Sequence, residues 1–200
     1  MDLRSLTFSE LLDRVSAKTP APGGGAVTAS VAALAAALAQ MTVNYSLGRK
    51  DLVAHAAKHE SAIEQLERAR WMLLELAVED VRAYEELNEA MKTPKDDPAR
   101  PALLAEKASA AIHPPMATIA TCAELLRAFE MLAPITNRML RSDLAIAAVY
   151  AEATARASRW NVKVNLPLVD PAQRTRLDQE TDAMLTRAEA SLRVIESACG

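Results

Sequence analysis

A chain of 200 residues that is 50% hydrophobic but only 4% aromatic can bury a sizeable core, and its abundant alanine favours closely packed helices over a sheet. A net charge of −3 is too mild for a nucleic-acid binder. Met1-Asp2-Leu3-Arg4 lacks a secretion signal's apolar core, and the apolar run Ala26 to Met41 is mostly alanine, too short and weak for a membrane span.

The first helix starts at Leu6-Thr7-Phe8, with Thr7 as N-cap and Glu10 completing a capping box. It ends near Lys18, because Pro20 and Pro22 disfavour helix before them. Then comes Gly23-Gly24-Gly25, three of the five glycines in the chain; no glycine occurs from residue 49 to 199. Two readings are open. The triplet presents free N–H groups for an anion at a helix N-terminus, or it lets two helices cross tightly.

A second helix spans about 25–46. Val27, Val31, Leu34, Leu38, Met41 and Tyr45 recur at spacings of three and four, a stripe read as core. Small residues fill the rest, which places this helix near the centre. After Gly48-Arg49-Lys50-Asp51 a long third helix runs over about 52–91. His55 and His59 are four apart, but no zinc-protease carboxylate pattern surrounds them. A solvated face is the expectation, and no metal.

Asp80 interrupts the stripe Leu66, Ala69, Leu73, Leu76, Tyr84, Leu87 and Met91. A carboxylate there costs several kcal/mol unless it is paired or its pKa rises. It is either a structural ion pair or a functional acid. Thr93 to Pro101 forms a polar loop flanked by Lys92. Helices follow over about 101–112 and 116–132, separated at His113-Pro114-Pro115. Ser142 or Asp143 caps a helix over 143–160, and Asn161 and Asn165 follow it. Asp170-Pro171-Ala172-Gln173 starts the last helix, which reaches about residue 197, with cap, proline and box. Cys122 and Cys199 show no metal or redox spacing and suit reduced thiols in a cytoplasm. The fold class is all-α: one multi-helix bundle over 1–200 with a long central helix, and no strand-like hairpin or repeat.

Four blocks together resemble the formiminotetrahydrofolate cyclodeaminase / methenyltetrahydrofolate cyclohydrolase family. They are Thr19 to Gly25; Gly48-Arg49-Lys50; Asp80 through Met91-Lys92-Thr93-Pro94-Lys95; and Asn137 through Ser142-Asp143 to Asn161 and Asn165-Leu166. Their order covers roughly residues 6–166. Thr136, Asp51 and His113-Pro114-Pro115 depart from the family pattern.

The resemblance implies an all-helical domain that dimerises, with a tetrahydrofolate site near the subunit contact. Members close 5-formiminotetrahydrofolate to 5,10-methenyltetrahydrofolate with loss of ammonia, or hydrolyse the methenyl form. On that basis Asp80 is the candidate proton shuttle, and Asp143 the candidate stabiliser of the cationic product. Gly23, Gly24 and Gly25 form the binding loop. Asn137 and Ser142 orient Asp143 or the pterin, and Asn161 and Asn165 meet the pterin. Arg49, Lys50, Lys92 and Lys95 suit the carboxylates of a polyglutamate tail. No cofactor beyond the folate carrier is implied. The expected assembly is a homodimer or dimer of dimers. A non-catalytic helical folate-binding or assembly protein is the alternative from another class.

Overall fold

Thr7 begins helix α1 (Phe8–Ser16) as the spacing predicts: its Oγ1 accepts from the Glu10 N–H at 3.2 Å, and Glu10 accepts from the Thr7 N–H at 2.7 Å. The computed structural model describes residues 3–200. Five further helices follow: α2 (Gly24–Asn44), α3 (Ala56–Ala90), α4 (Arg100–Leu132), α5 (Arg141–Asn165) and α6 (Pro171–Cys199). No strand occurs among the described residues. Gly48, at φ 79°, supplies the left-handed turn after α2 that a side chain would strain.

Alanine decides the packing of α2. Ala26, Ala29, Ala32, Ala35, Ala36 and Ala39 are at most 1% exposed, and they seat α2 against α3, α5 and α4. Methyl groups let helix axes approach closely while still removing apolar surface from water. By length and hydropathy alone α2 could cross a membrane, contrary to the expectation, but half of its apolar window is covered by the other helices.

The stripe expected to be core points the other way. Leu34 and Tyr45 are 54% and 64% exposed, and Val27, Val31, Leu38 and Met41 are only half-buried. The periodicity marked a real face. The alanine face is the one that fits against three neighbours, and the large side chains are left outside.

α4 is a second correction. It runs unbroken through His113-Pro114-Pro115 rather than dividing there. Two ladder hydrogen bonds are missing at the prolines, but both prolines are buried, and the long segments on either side pack on α3, α5 and α6. The Thr118 hydroxyl donates to the Pro114 carbonyl at 2.9 Å. α5 begins two residues before Asp143, and neither Ser142 nor Asp143 caps it. Asn137 instead caps the preceding 3-10 turn, accepting from the Met139 N–H at 3.2 Å. Asp170 caps α6 as expected, but the Gln173 amide donates to Ser109 on α4 rather than closing a box.

His59 is also not on a solvated face. It is 1% exposed, and its Nε2–H donates to the Ile135 carbonyl at 3.0 Å. Both cysteines are free; burial pushes the Cys122 thiol up to about 12.

The tight fit of α2 has a direct test. Ala36→Leu adds three carbons where nothing is exposed, and should cost at least 1–3 kcal/mol in denaturant unfolding.

Candidate active site

Gly23 caps α2 without a side chain, so the first N–H groups of the helix have no local partner. Asp80 supplies one from α3: its carboxylate accepts from the Ala26 N–H. The carboxylate lies directly on Gly25, where any Cβ would sit 1.9–2.5 Å from all three carboxyl atoms, well inside van der Waals contact. The tight-crossing reading of the glycine triplet therefore holds at Gly25. The helices cross tightly, and the anion at the helix N-terminus is the chain's own carboxylate.

Burial raises the Asp80 pKa from 3.8 to about 6, against the opposing pull of the Ala26 N–H. Among the described residues no cation offsets that burial, which leaves the ion-pair reading of Asp80 without a partner there. The α2 N-terminus lowers the cost of the anion, and desolvation outweighs it.

Asp80 lines a cleft of about 370 Å³. The floor and walls include Pro20, Ala21 and the three glycines, Val81, Leu87, Met91, Ala111 and Val164. Asn161 and Asn165 enter from the last turns of α5, where four-residue spacing puts both on one face. Asn165 donates to the Asn161 carbonyl at 3.2 Å, and a Cβ at Gly24 would lie 3.1 Å from Asn161 Oδ1. Tyr84 and Asn88 also line the cleft, one and two turns beyond Asp80. Sequence reasoning placed Tyr84 in the apolar stripe and passed over Asn88. The i, i+4, i+8 spacing from Asp80 was the signal available for both.

The remaining candidates are elsewhere. α2 and α5 run antiparallel: Gly24 meets Asn161 at one end, and at the other the Ser46 hydroxyl accepts from the Asn137 N–H at 2.9 Å. Asp143 precedes Asn161 by 18 residues of unbroken helix, ~27 Å at the α-helical rise. Asn137, Ser142, Asp143, Arg49 and Lys50 therefore form a second group, at the opposite end of the bundle from Asp80. Arg49 is paired with Asp51 at 3.0 Å. Lys92 and Lys95 follow Met91 in sequence but do not line the cleft; Lys92 pairs with Glu89 at 2.6 Å and borders a separate groove with Glu86, Thr93 and Lys107. No cluster of three metal-ligating side chains occurs among the described residues.

A raised carboxyl pKa is a stability statement. Below pH 3.8 Asp80 is protonated in both folded and unfolded chains, and its burial costs nothing. Between 3.8 and about 6 the unfolded chain loses the proton first, so folding stability falls as pH rises. Asp80→Asn keeps an acceptor for the Ala26 N–H and removes the charge. At pH 8 it should be more stable than wild type by about 2–3 kcal/mol, a difference that vanishes near pH 3.5. Denaturant melts across that range check it.

A family model described as formiminotransferase-cyclodeaminase matches residues 7–183. The chain is 33% identical over 186 residues to the formimidoyltransferase-cyclodeaminase of Sus scrofa, covering 90% of this chain and 34% of that protein. It is 31% identical over 168 residues to the methenyltetrahydrofolate cyclohydrolase of Methylorubrum extorquens, covering 82% of this chain and 81% of the relative. The crystal structure of formiminotetrahydrofolate cyclodeaminase from Thermotoga maritima superposes with a TM-score of 0.91 at 28% identity, covering 98% and 96% of the two chains. The chain thus spans about a third of the length of the porcine relative and most of the bacterial ones. On the cleft, the helical fold and these matches, the chain belongs to the formiminotransferase-cyclodeaminase family.

Proposed function

We propose that this protein closes 5-formiminotetrahydrofolate to 5,10-methenyltetrahydrofolate with release of ammonia. The observation that carries the reading is Asp80: a carboxyl that burial raises to about 6, within reach of neutral pH, in a mostly apolar cleft beside the glycine loop. Starting from the protonated formimino group, the folate N10 attacks the formimino carbon and a C–N bond forms. Asp80 takes the proton from N10 and hands it to the exocyclic nitrogen. That nitrogen leaves as ammonia, the second C–N bond breaks, and the charge stays on the methenyl bridge. One carboxyl that both takes and gives a proton works best with a pKa near the working pH.

The match to the Methylorubrum cyclohydrolase, over 81% of that protein, favours a second reading, hydrolysis of the methenyl bridge. Methenyl absorbance separates the two: it grows when 5-formiminotetrahydrofolate is turned over and decays when the methenyl compound is hydrolysed. In either reaction Asp80→Asn should lower kcat by 10²-fold or more, with folate affinity kept within about tenfold. In wild type kcat/KM should fall as pH drops below about 6, as the base form is lost. Full turnover by the variant would remove Asp80 from the mechanism.

The functional unit in this reading is a homodimer. The exposed stripe of α2 adjoins a second one on α5, where Ile146, Val149, Tyr150, Trp160 and Val164 are all at least 40% exposed. Apolar faces of this length are normally buried against a partner. Two-fold pairing about the helix midpoints would set the Asn137–Asp143 end of one protomer beside the Asp80 cleft of the other. That arrangement would bring the two residue groups together, with Asp143 near the cationic product and Arg49 and Lys50 joining Lys92 and Lys95 around a polyglutamate tail. Leu34→Glu, at the midpoint of the α2 stripe, should halve the mass seen by light scattering and lower activity together. A stable, fully active wild-type species of 21.6 kDa would overturn the pairing.

A further inference from the structure

Asp80, Tyr84 and Asn88 stand on successive turns of one face of α3, and all three line the cleft. Asn161 faces them from α5. Among the described residues the Asn88 carboxamide, the Tyr84 hydroxyl and the Asn161 carboxamide have no hydrogen-bond partner. Asn88 is half-buried, and Tyr84 keeps 45% of its surface exposed. The cleft thus offers an amide from each wall and an open aromatic face.

Spacing limits what fits. Eight residues of α-helix separate Asp80 from Asn88, ~12 Å along the axis. A hydrogen bond at each end takes ~2.9 Å, leaving room for about one fused bicyclic ring between them. A carboxamide both donates and accepts, so it matches a ring edge that carries an amino donor beside a ring-nitrogen acceptor. Tyr84, between the two, presents a ring face on which a planar heterocycle can stack.

Resting on the folate reading above, we infer that Asn88 is a specificity residue for the heterocycle, reading its amino-pyrimidine edge across the cleft from Asn161, with Tyr84 beneath the ring. Asp80 then meets the bridging carbon at the other end. The two amides account for the orientation, and the carboxyl is left free for proton transfer.

Three probes test this by calorimetry: tetrahydrofolate, a tetrahydropterin that lacks the tail, and p-aminobenzoylglutamate, which lacks the heterocycle. Asn88→Leu should weaken the first two about tenfold and leave the third unchanged. Asn88→Asp keeps the shape and loses the donor, so it should show the same pattern if the leucine variant fails to fold. The substrate KM should rise about tenfold in either variant, with kcat changed less. Equal affinity of wild type and Asn88→Asp for tetrahydropterin would overturn the role of Asn88 while the folate reading stands. Weakening of tetrahydrofolate and p-aminobenzoylglutamate with tetrahydropterin unchanged would overturn it too, assigning Asn88 to the tail. Failure of wild type to bind any of the three would overturn both.

Discussion

The carboxylate of Asp80, lying on the backbone of Gly25 and accepting the Ala26 N–H, is the contact on which the rest of the site depends. It fixes how closely α3 approaches the start of α2, because no other residue type than glycine leaves space at position 25. It also sets the chemistry. The helix terminus holds the charge in place, and burial raises its cost, so the carboxyl is neither a firm anion nor a firm acid. Natural sites often keep such unfavourable groups, and the chain spends fold stability on this one.

The rest of the bundle serves that placement. α2 is narrow enough to lie among three helices because its inner face is alanine. Its antiparallel neighbour α5 then delivers Asn161 to Gly24 at one end, and the turn leading into α5 brings Asn137 to Ser46 at the other. The second end is held with equal care. His59 grips the Ile135 carbonyl from α3, and Thr136 bonds back to Leu132 at 2.9 Å, so three elements hold the segment that leads to Asp143.

Much of this was legible in the residues. Thr7 and Asp170 announced their helices through local capping, which needs no tertiary knowledge. Asp80 stood out because a charge in an apolar stripe has few explanations. What could not be read were questions of which neighbour lies where. The stripe of α2 was visible, but periodicity does not say which of two faces the same chain covers. Pro114 and Pro115 break helices in isolation, and long packed flanks override them here. His59 shows two polar neighbours in sequence, and only the fold reveals the Ile135 carbonyl above it. Tyr84 and Asn88 were hidden because an aromatic ring counts toward a core stripe, and the four-residue spacing that ties Asn88 to Asp80 gains weight only once Asp80 is seen to line a cleft.

The alanine face of α2 also bears on how such a sequence can drift over evolutionary time. Most single substitutions of a buried alanine add atoms, and at Ala32, Ala35, Ala36 and Ala39 the exposed surface is zero. Only glycine and serine are comparably small, and glycine loosens the helix by about 1 kcal/mol. Variation in α2 is therefore channelled to its other side, the row of larger residues from Val27 to Tyr45. The inner face is nearly frozen, so what changes along α2 changes the surface it offers to a partner rather than the helix start that holds Asp80.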